Sequence, residues 1–396
     1  MTQRYIDCQQ HTMISIDNKS YNMHQVLWLN RDPMLCVSRM ADRVWRGGHI
    51  VMSKSTLEIP AHLIDRAKFP VIDVHNHSQW DGVWQVTDIP ALLKVMDTVG
   101  VAGRVDLDGG TGDRLEQHLN LFRRSRPDRF AVFVSCDWEY YLQFEDFAGH
   151  FARDFAQGIR QGAEGLKLWK ELGLTVKDRN GKRIATNDPR LQPIWDVAAE
   201  YGVPVLIHTA DPVAFFQPLE GNELYHSLLR HPDWHFYGPS YPSFEQLMQE
   251  FEELIARNPS TTFIGAHVGN YAENLLRVGQ WLDRYPNLYV DIAARIAQLG
   301  RQPYTARRFL TQYSRRIVFG LDKWPTPPDN YQVMFRFLET EDEYFDYVTE
   351  QDLSEGAKGA WKIYGVGLAD DVLQDIYYRT ALALLPRFKN DLEWAF

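Results

Sequence analysis

From Phe69 onward the chain alternates short apolar runs with longer amphipathic segments. The first run, Phe69-Pro-Val-Ile-Asp-Val-His-Asn-His77, carries the β-branched residues of a buried strand, predicted over 69–76. A helix is expected at 88–99, where Asp88 can cap and Pro90 suits the first turn. A weak strand at 101–107, a helix at 113–126 and a strand at 130–135 follow. Helix 145–161 leads to strand 163–168, and helix 188–201 leads to Val203-Pro-Val-Leu-Ile-His208. Helix 243–258 precedes Thr261-Thr-Phe-Ile-Gly-Ala-His267, and helix 272–285 precedes Leu288-Tyr-Val-Asp-Ile292. Helix 305–313 leads to Ile317-Val-Phe-Gly-Leu-Asp322, and a helix at 370–385 closes the chain. Eight strand–helix repeats predict an α/β fold, a (β/α)8 TIM barrel. An open doubly wound sheet is the alternative, but it would call for a glycine-rich phosphate loop after the first strand, which this chain lacks.

Two stretches stand outside the repeat. Residues 1–55 show no clean period and are read as an N-terminal extension, packed on the main domain or on a second subunit, with 56–396 as the barrel domain. Thr209 to Pro242 is a long insertion containing Phe215, Phe216, Tyr225, Trp234, Phe236, Tyr237 and Tyr241. So long a loop is usually functional or disordered, and its aromatic content argues against disorder. Composition narrows the partners. With 42 basic and 52 acidic residues the net charge is −10, and there is no basic run, which disfavours nucleic acid and anionic membranes. The widely spaced Cys8, Cys36 and Cys136 form no Cys-x-x-Cys pair, so a reducing compartment is expected. There is no signal-like N-terminus and no apolar run of spanning length, which predicts a soluble, cytoplasmic protein with a small-molecule substrate. A homo-oligomer is compatible with this reading.

The candidate chemistry sits at strand ends. His75 and His77 are two residues apart, so in a strand their imidazoles share a side. Strand four carries Lys167, strand five ends in His208, strand six in His267 and strand eight in Asp322. In a barrel these C-terminal ends meet in one mouth. So many titratable groups gathered as mere core residues would be costly without a cation, which favours a metal site over satisfied rim polar residues.

The sequence resembles the amidohydrolase superfamily, in the branch labelled amidohydrolase family 2 that contains aminocarboxymuconate-semialdehyde decarboxylase and related hydrolases. The resemblance rests on Val-Ile-Asp-Val-His-Asn-His, Gly-Leu-Lys-Leu-Trp-Lys, Val-Leu-Ile-His-Thr-Ala-Asp, Phe-Ile-Gly-Ala-His-Val-Gly-Asn, Val-Phe-Gly-Leu-Asp and the ending from Ile376, and spans about 55–386. It implies that His75, His77, His208 and Asp322 bind a divalent metal, with His267 beside it as a second ligand or a catalytic residue. Zn2+ is the first choice, and Mn2+ or Fe2+ suits the same donors. Leu321 departs from the threonine many members carry, but a neighbour in a strand points away, so the role of Asp322 is unaffected. In some relatives the strand-four lysine bears a carbamate bridging two metals, which would make Lys167 a ligand. The simpler reading is a single metal, with the Lys167 ammonium binding a substrate carboxylate.

Asp73 can support a ligand histidine or be a core contact, and Arg295 can clamp an anionic substrate or pair with Asp291. Trp80, Trp84, Trp169 and the aromatics of 215–241 can wall an apolar or aromatic-ring pocket, or serve only as loop packing. The expected enzyme is a metal-dependent hydrolase that activates water against a small amide, lactone or ester. Asp322 is its expected base and His267 its oxyanion donor. A decarboxylase or related lyase acting on a carboxylated ring or dienoate is the alternative, and a non-catalytic metal-binding barrel is a third reading.

Overall fold

The computed structural model describes residues 56–80, 82–210, 212–323, 327–348 and 361–391, together with the antiparallel pair Ile14–Ile16 and Lys19–Tyr21. Met1–Glu58 and Ile59–Phe396 are separate compact units. The expected extension at 1–55 lies outside the described residues apart from that pair.

Within the larger unit, parallel strands follow the predicted order: β1 Val71–Asn76, β2 Val101–Asp106 and β3 Phe130–Val132, which continues as Val134–Ser135. Then come β4 Leu166–Leu168, β5 Val205–Ile207, β6 Phe263–Gly265, β7 Leu288–Asp291 and β8 Ile317–Val318. Each pairs in parallel with the next. Closure comes from β1 against the chain after β8: Val74 N donates to Phe319 O at 3.0 Å and Asp322 N to His75 O at 2.8 Å. The fold is therefore a (β/α)8 barrel.

Alternation divides the strand residues into two apolar layers. Ile72, Val105, Ala131, Leu206, Ile264 and Val318 pack inside the barrel, and Leu382, Leu385 and Phe388 of the C-terminal segment pack against them. Phe388 N also donates to Glu164 just before β4, so this segment closes the end where the strands begin. Val71, Leu166, Val205, Phe263, Leu288 and Ile317 face the surrounding helices. Asp88 caps Ile89–Val99, and Ser243 caps Phe244–Arg257.

The predicted strands reached further than the observed ones, because pairing stops where the chain turns into the mouth. His208, His267 and Asp322 all lie past the last paired residue of their strands. The β1–β2 register also slips between Asp73 and Asn76, so strict alternation fails there. Asp73 consequently serves the seam: it accepts from Leu321 N at 3.1 Å, His75 N at 3.3 Å and the Tyr331 hydroxyl at 2.7 Å.

Gly320 is closely packed in that seam. A Cβ there would lie 2.8 Å from His75 Cβ and 3.1 Å from Ala293 Cβ. Gly320→Ala is expected to cost about 1–3 kcal/mol through overpacking. Denaturant unfolding reads this directly, and a variant as stable as the parent would contradict the tight closure.

Candidate metal centre

Four side chains converge at the mouth. Asp322 Oδ1 lies 3.8 Å from His75 Nε2 and 3.4 Å from His77 Nε2, while Oδ2 lies 3.8 Å from His267 Nε2. The three histidine side chains are at most 2 % exposed and the Asp322 side chain is 19 % exposed, so the carboxylate is the member open to the mouth. The rings of His75 and His267 stack at 4.9 Å. Burial opposes the charge of Asp322, but the positive charge around it, from His75, His267 and His77 when protonated and from Lys167, holds the carboxyl far below the ordinary range. Both His267 and Asp322 sit at φ 56°, a left-handed conformation rare for residues with side chains. Such strain clusters at functional sites. Here it turns both residues off their strand directions.

Carboxylates fix the histidines from behind. His75 Nδ1 donates to Asp291 at 2.7 Å and His77 Nδ1 to Asp108 at 2.8 Å. An ionised carboxylate only accepts, so each Nδ1 carries the hydrogen and each Nε2 presents its lone pair to the mouth. Asp291 also accepts from the backbone N–H of His267 at 2.8 Å and of Ala293 at 3.0 Å. Burial pushes the Asp291 carboxyl up to about 6, against the pull of His267 and Lys167. Asp108 accepts from Ser78 N at 2.6 Å and Gln79 N at 2.9 Å. Although burial works against its charge, His77 and these donors hold its carboxyl below the usual value.

The arrangement fits a cation. Two Nε2 lone pairs face a carboxylate oxygen, and one atom from each of His75, His77 and Asp322 falls within 4.8 Å of the others. Acceptors facing acceptors repel until a positive charge joins them. In the structure Lys167 Nζ meets part of this need, 2.9 Å from His75 Nε2. Lys167 is fully buried, and burial lowers its pKa against the attraction of Asp322, Asp291 and Asp108.

The other predicted residues take different places. His208 stands outside the tight group, its ring edge-on to His267 at 4.4 Å. Burial, then Lys170 and Lys167, hold it well below the ordinary histidine pKa, which leaves a neutral imidazole suited to ligation. Trp169 lies against the His77 ring at 4.4 Å and 5.0 Å from Lys167 Nζ. Arg295 is half-buried at the turn after β7, opening the helix Ile296–Gly300. Trp84 stacks on His118 at 4.5 Å, and the Trp80 side chain lies outside the described residues. The insertion is built around Phe215, Trp234 and Phe236, with Lys170 Nζ 5.4 Å and 5.3 Å from the Phe215 and Phe236 rings. Arg301 reaches Glu223 within it at 2.9 Å.

The supporting acids Asp291 and Asp108 were not marked as histidine partners by the sequence. Each stands at or just past the end of its strand, as His208, His267 and Asp322 do, and that position was the available signal.

The profile of the amidohydrolase family matches residues 72–387. No curated protein matches the chain. Among solved structures, 2,6-dihydroxybenzoate decarboxylase from Rhizobium aligns at 16% identity and TM-score 0.47, over 82% of this chain and 99% of its own. The 5-carboxyvanillate decarboxylase of Sphingomonas paucimobilis aligns at 12% and 0.49, over 81% and 99%. Dihydroorotase from Campylobacter jejuni aligns at 13% and 0.45, over 86% and 88%. Among the described residues no helix is long and apolar enough to cross a membrane.

Asp291→Asn puts an amide where His75 Nδ1 needs an acceptor on one oxygen and two backbone donors need the other. Either the ring changes tautomer and loses its inward lone pair, or a backbone donor is stranded. Zn2+ affinity is expected to fall roughly 10–100-fold in a chelator competition titration. Unchanged affinity would contradict the orienting role.

Proposed function

The chain belongs to amidohydrolase family 2 and is an enzyme of the amidohydrolase superfamily, and from that premise we propose that it is a metal-dependent hydrolase of a small amide, lactone or ester. The carrying observation is the Asp322 carboxylate, reached from the mouth and shared between His75 and His77 on one oxygen and His267 on the other. His75 and His77 through Nε2, Asp322 through Oδ1 and His208 as the further imidazole are the proposed ligands of one divalent ion, with zinc the best match to these donors. When bound, the ion supplies Lewis acidity, lowering the pKa of water and polarising a carbonyl.

The protein's own groups do the rest. Asp322 Oδ2 accepts a proton from the attacking water and faces His267 Nε2 at 3.8 Å. His267 Nδ1 donates to Ala293 O at 2.9 Å, which leaves Nε2 to receive that proton. Once charged, His267 can hold the oxyanion of the tetrahedral adduct by a hydrogen bond and then give that proton to the leaving group. Lys167, as an ammonium, is placed to bind a substrate carboxylate, with Trp169 as an apolar wall and Arg295 as a further cation. Since Lys167 Nζ lies 2.9 Å from His75 Nε2, metal and ammonium compete for that nitrogen. The lysine must turn toward substrate, give up its proton, or become a carbamate ligand. We favour the first and a single metal. The insertion, leaving directly after His208, is proposed as the cover that selects substrate.

A buried cation beside a flat Trp169 also suits a carboxylated ring, which favours non-oxidative decarboxylation as the second reading. Carbon dioxide release from aromatic acids, set against hydrolysis of lactones and amides, separates the two. We place the protein in the cytoplasm.

Elemental analysis of gently purified protein should find about one zinc per chain. Absence of bound metal, with activity unchanged in strong chelator, would defeat the reading. Asp322→Asn is expected to keep most of the metal and lose kcat roughly 10²–10⁴-fold, the range for a general base. His267→Asn should lose less. A fully active Asp322→Asn would remove Asp322 from the base role.

A further inference from the structure

A second buried network lies behind His77, and the mechanism does not use it. Ser78 follows His77 directly, Asp106 ends β2, and His118 ends the helix Gly112–His118. The three are 2 %, 3 % and 0 % exposed. Ser78 Oγ donates to Asp106 Oδ1 at 2.6 Å, and His118 Nδ1 donates to Asp106 Oδ2 at 2.6 Å. The backbone N–H of Ser78 donates to Asp108 Oδ2, whose other oxygen accepts from His77 Nδ1. Arg104 adds a hydrogen bond to the His77 carbonyl at 3.2 Å. The turn carrying His77 is thus gripped by two carboxylates from the tip of β2.

His118 is the informative member. Among the described residues its buried Nε2 has no hydrogen-bond partner, and its ring lies between Trp84 at 4.5 Å and Phe122 at 6.3 Å. A leucine would fill an aromatic slot of this kind without stranding a polar atom. What leucine lacks is the Nδ1–H that holds one oxygen of Asp106, leaving the other for the Ser78 hydroxyl.

We propose that His118, Asp106 and Ser78 form a positioning ladder that fixes the turn carrying His77 and thereby sets how tightly the centre holds its metal. The inference rests on the metal reading of the site. None of the three touches the reacting atoms. They act through Asp108 and His77, as supporting partners of ligand histidines do.

The test is Zn2+ affinity of the full chain by competition with a chromophoric chelator, with thermal unfolding of each metal-free protein and the visible spectrum of the Co2+ form. The set is wild type, His75→Ala, Ser78→Ala, His118→Leu and His118→Asn. Ser78→Ala and His118→Leu should each weaken Zn2+ binding about tenfold or more and alter the Co2+ bands. His118→Asn, whose amide can donate to Asp106 from the Nδ1 position, should recover most of the loss. A packing role alone would leave the His118→Leu affinity at the wild-type value. If His118→Leu fails to fold, Ser78→Ala, which removes one hydroxyl, decides alone. Wild-type affinity in both variants overturns the ladder and leaves the metal centre standing. Equal, weak binding by wild type and His75→Ala overturns the metal reading and the ladder with it.

Discussion

Everything at the mouth depends on two carboxylate–imidazole hydrogen bonds, Asp291 to His75 at 2.7 Å and Asp108 to His77 at 2.8 Å. An imidazole offers one donor and one acceptor when neutral, and which nitrogen holds the hydrogen decides what the ring can do. By occupying both Nδ1 atoms from behind, the two acids direct both lone pairs at Asp322. Without them each ring could take the other tautomer and present N–H groups to one another and to any incoming cation. Asp322, Asp291 and Asp108 also explain why a buried lysine is tolerated there, since their charges offset part of its desolvation.

The barrel makes this economical. The parallel strands bring residues distant in sequence to one end, and the β1–β8 seam joins His75 directly to the chain that carries Asp322. Asp73 and Gly320 belong to that seam rather than to the chemistry. The left-handed backbone at His267 and Asp322 is held by its surroundings, with Asp291 gripping the His267 N–H and the His75 carbonyl gripping the Asp322 N–H.

The strand order, the helix cap at Asp88 and the gathering of His75, His77, His267, Lys167 and Asp322 were legible in the sequence, because apolar period and strand-end position carry that information locally. Asp291 and Asp108 were not read as partners, since an acid at a strand end looks the same whether it faces metal, histidine or water. Asp73 was read as a support for a ligand histidine or as a core contact, and it lies in the buried seam, where it accepts from the backbone N–H groups of His75 and Leu321. His118 sits mid-chain on an ordinary amphipathic helix, and only tertiary packing reveals that its Nδ1 serves Asp106. His208 was placed with the ligands by its strand end and stands one ring away, against His267.

Side-chain 1H–15N correlation spectra of histidine-labelled protein read the tautomers of His75 and His77 directly. Assigned through His75→Gln and His77→Gln, both rings should show hydrogen on Nδ1 and a non-protonated Nε2 in the metal-free protein. The Nε2 resonances alone should shift to metal-ligated positions when Zn2+ is added. Hydrogen on Nε2 in either ring, or Nε2 signals that ignore Zn2+, would contradict the account.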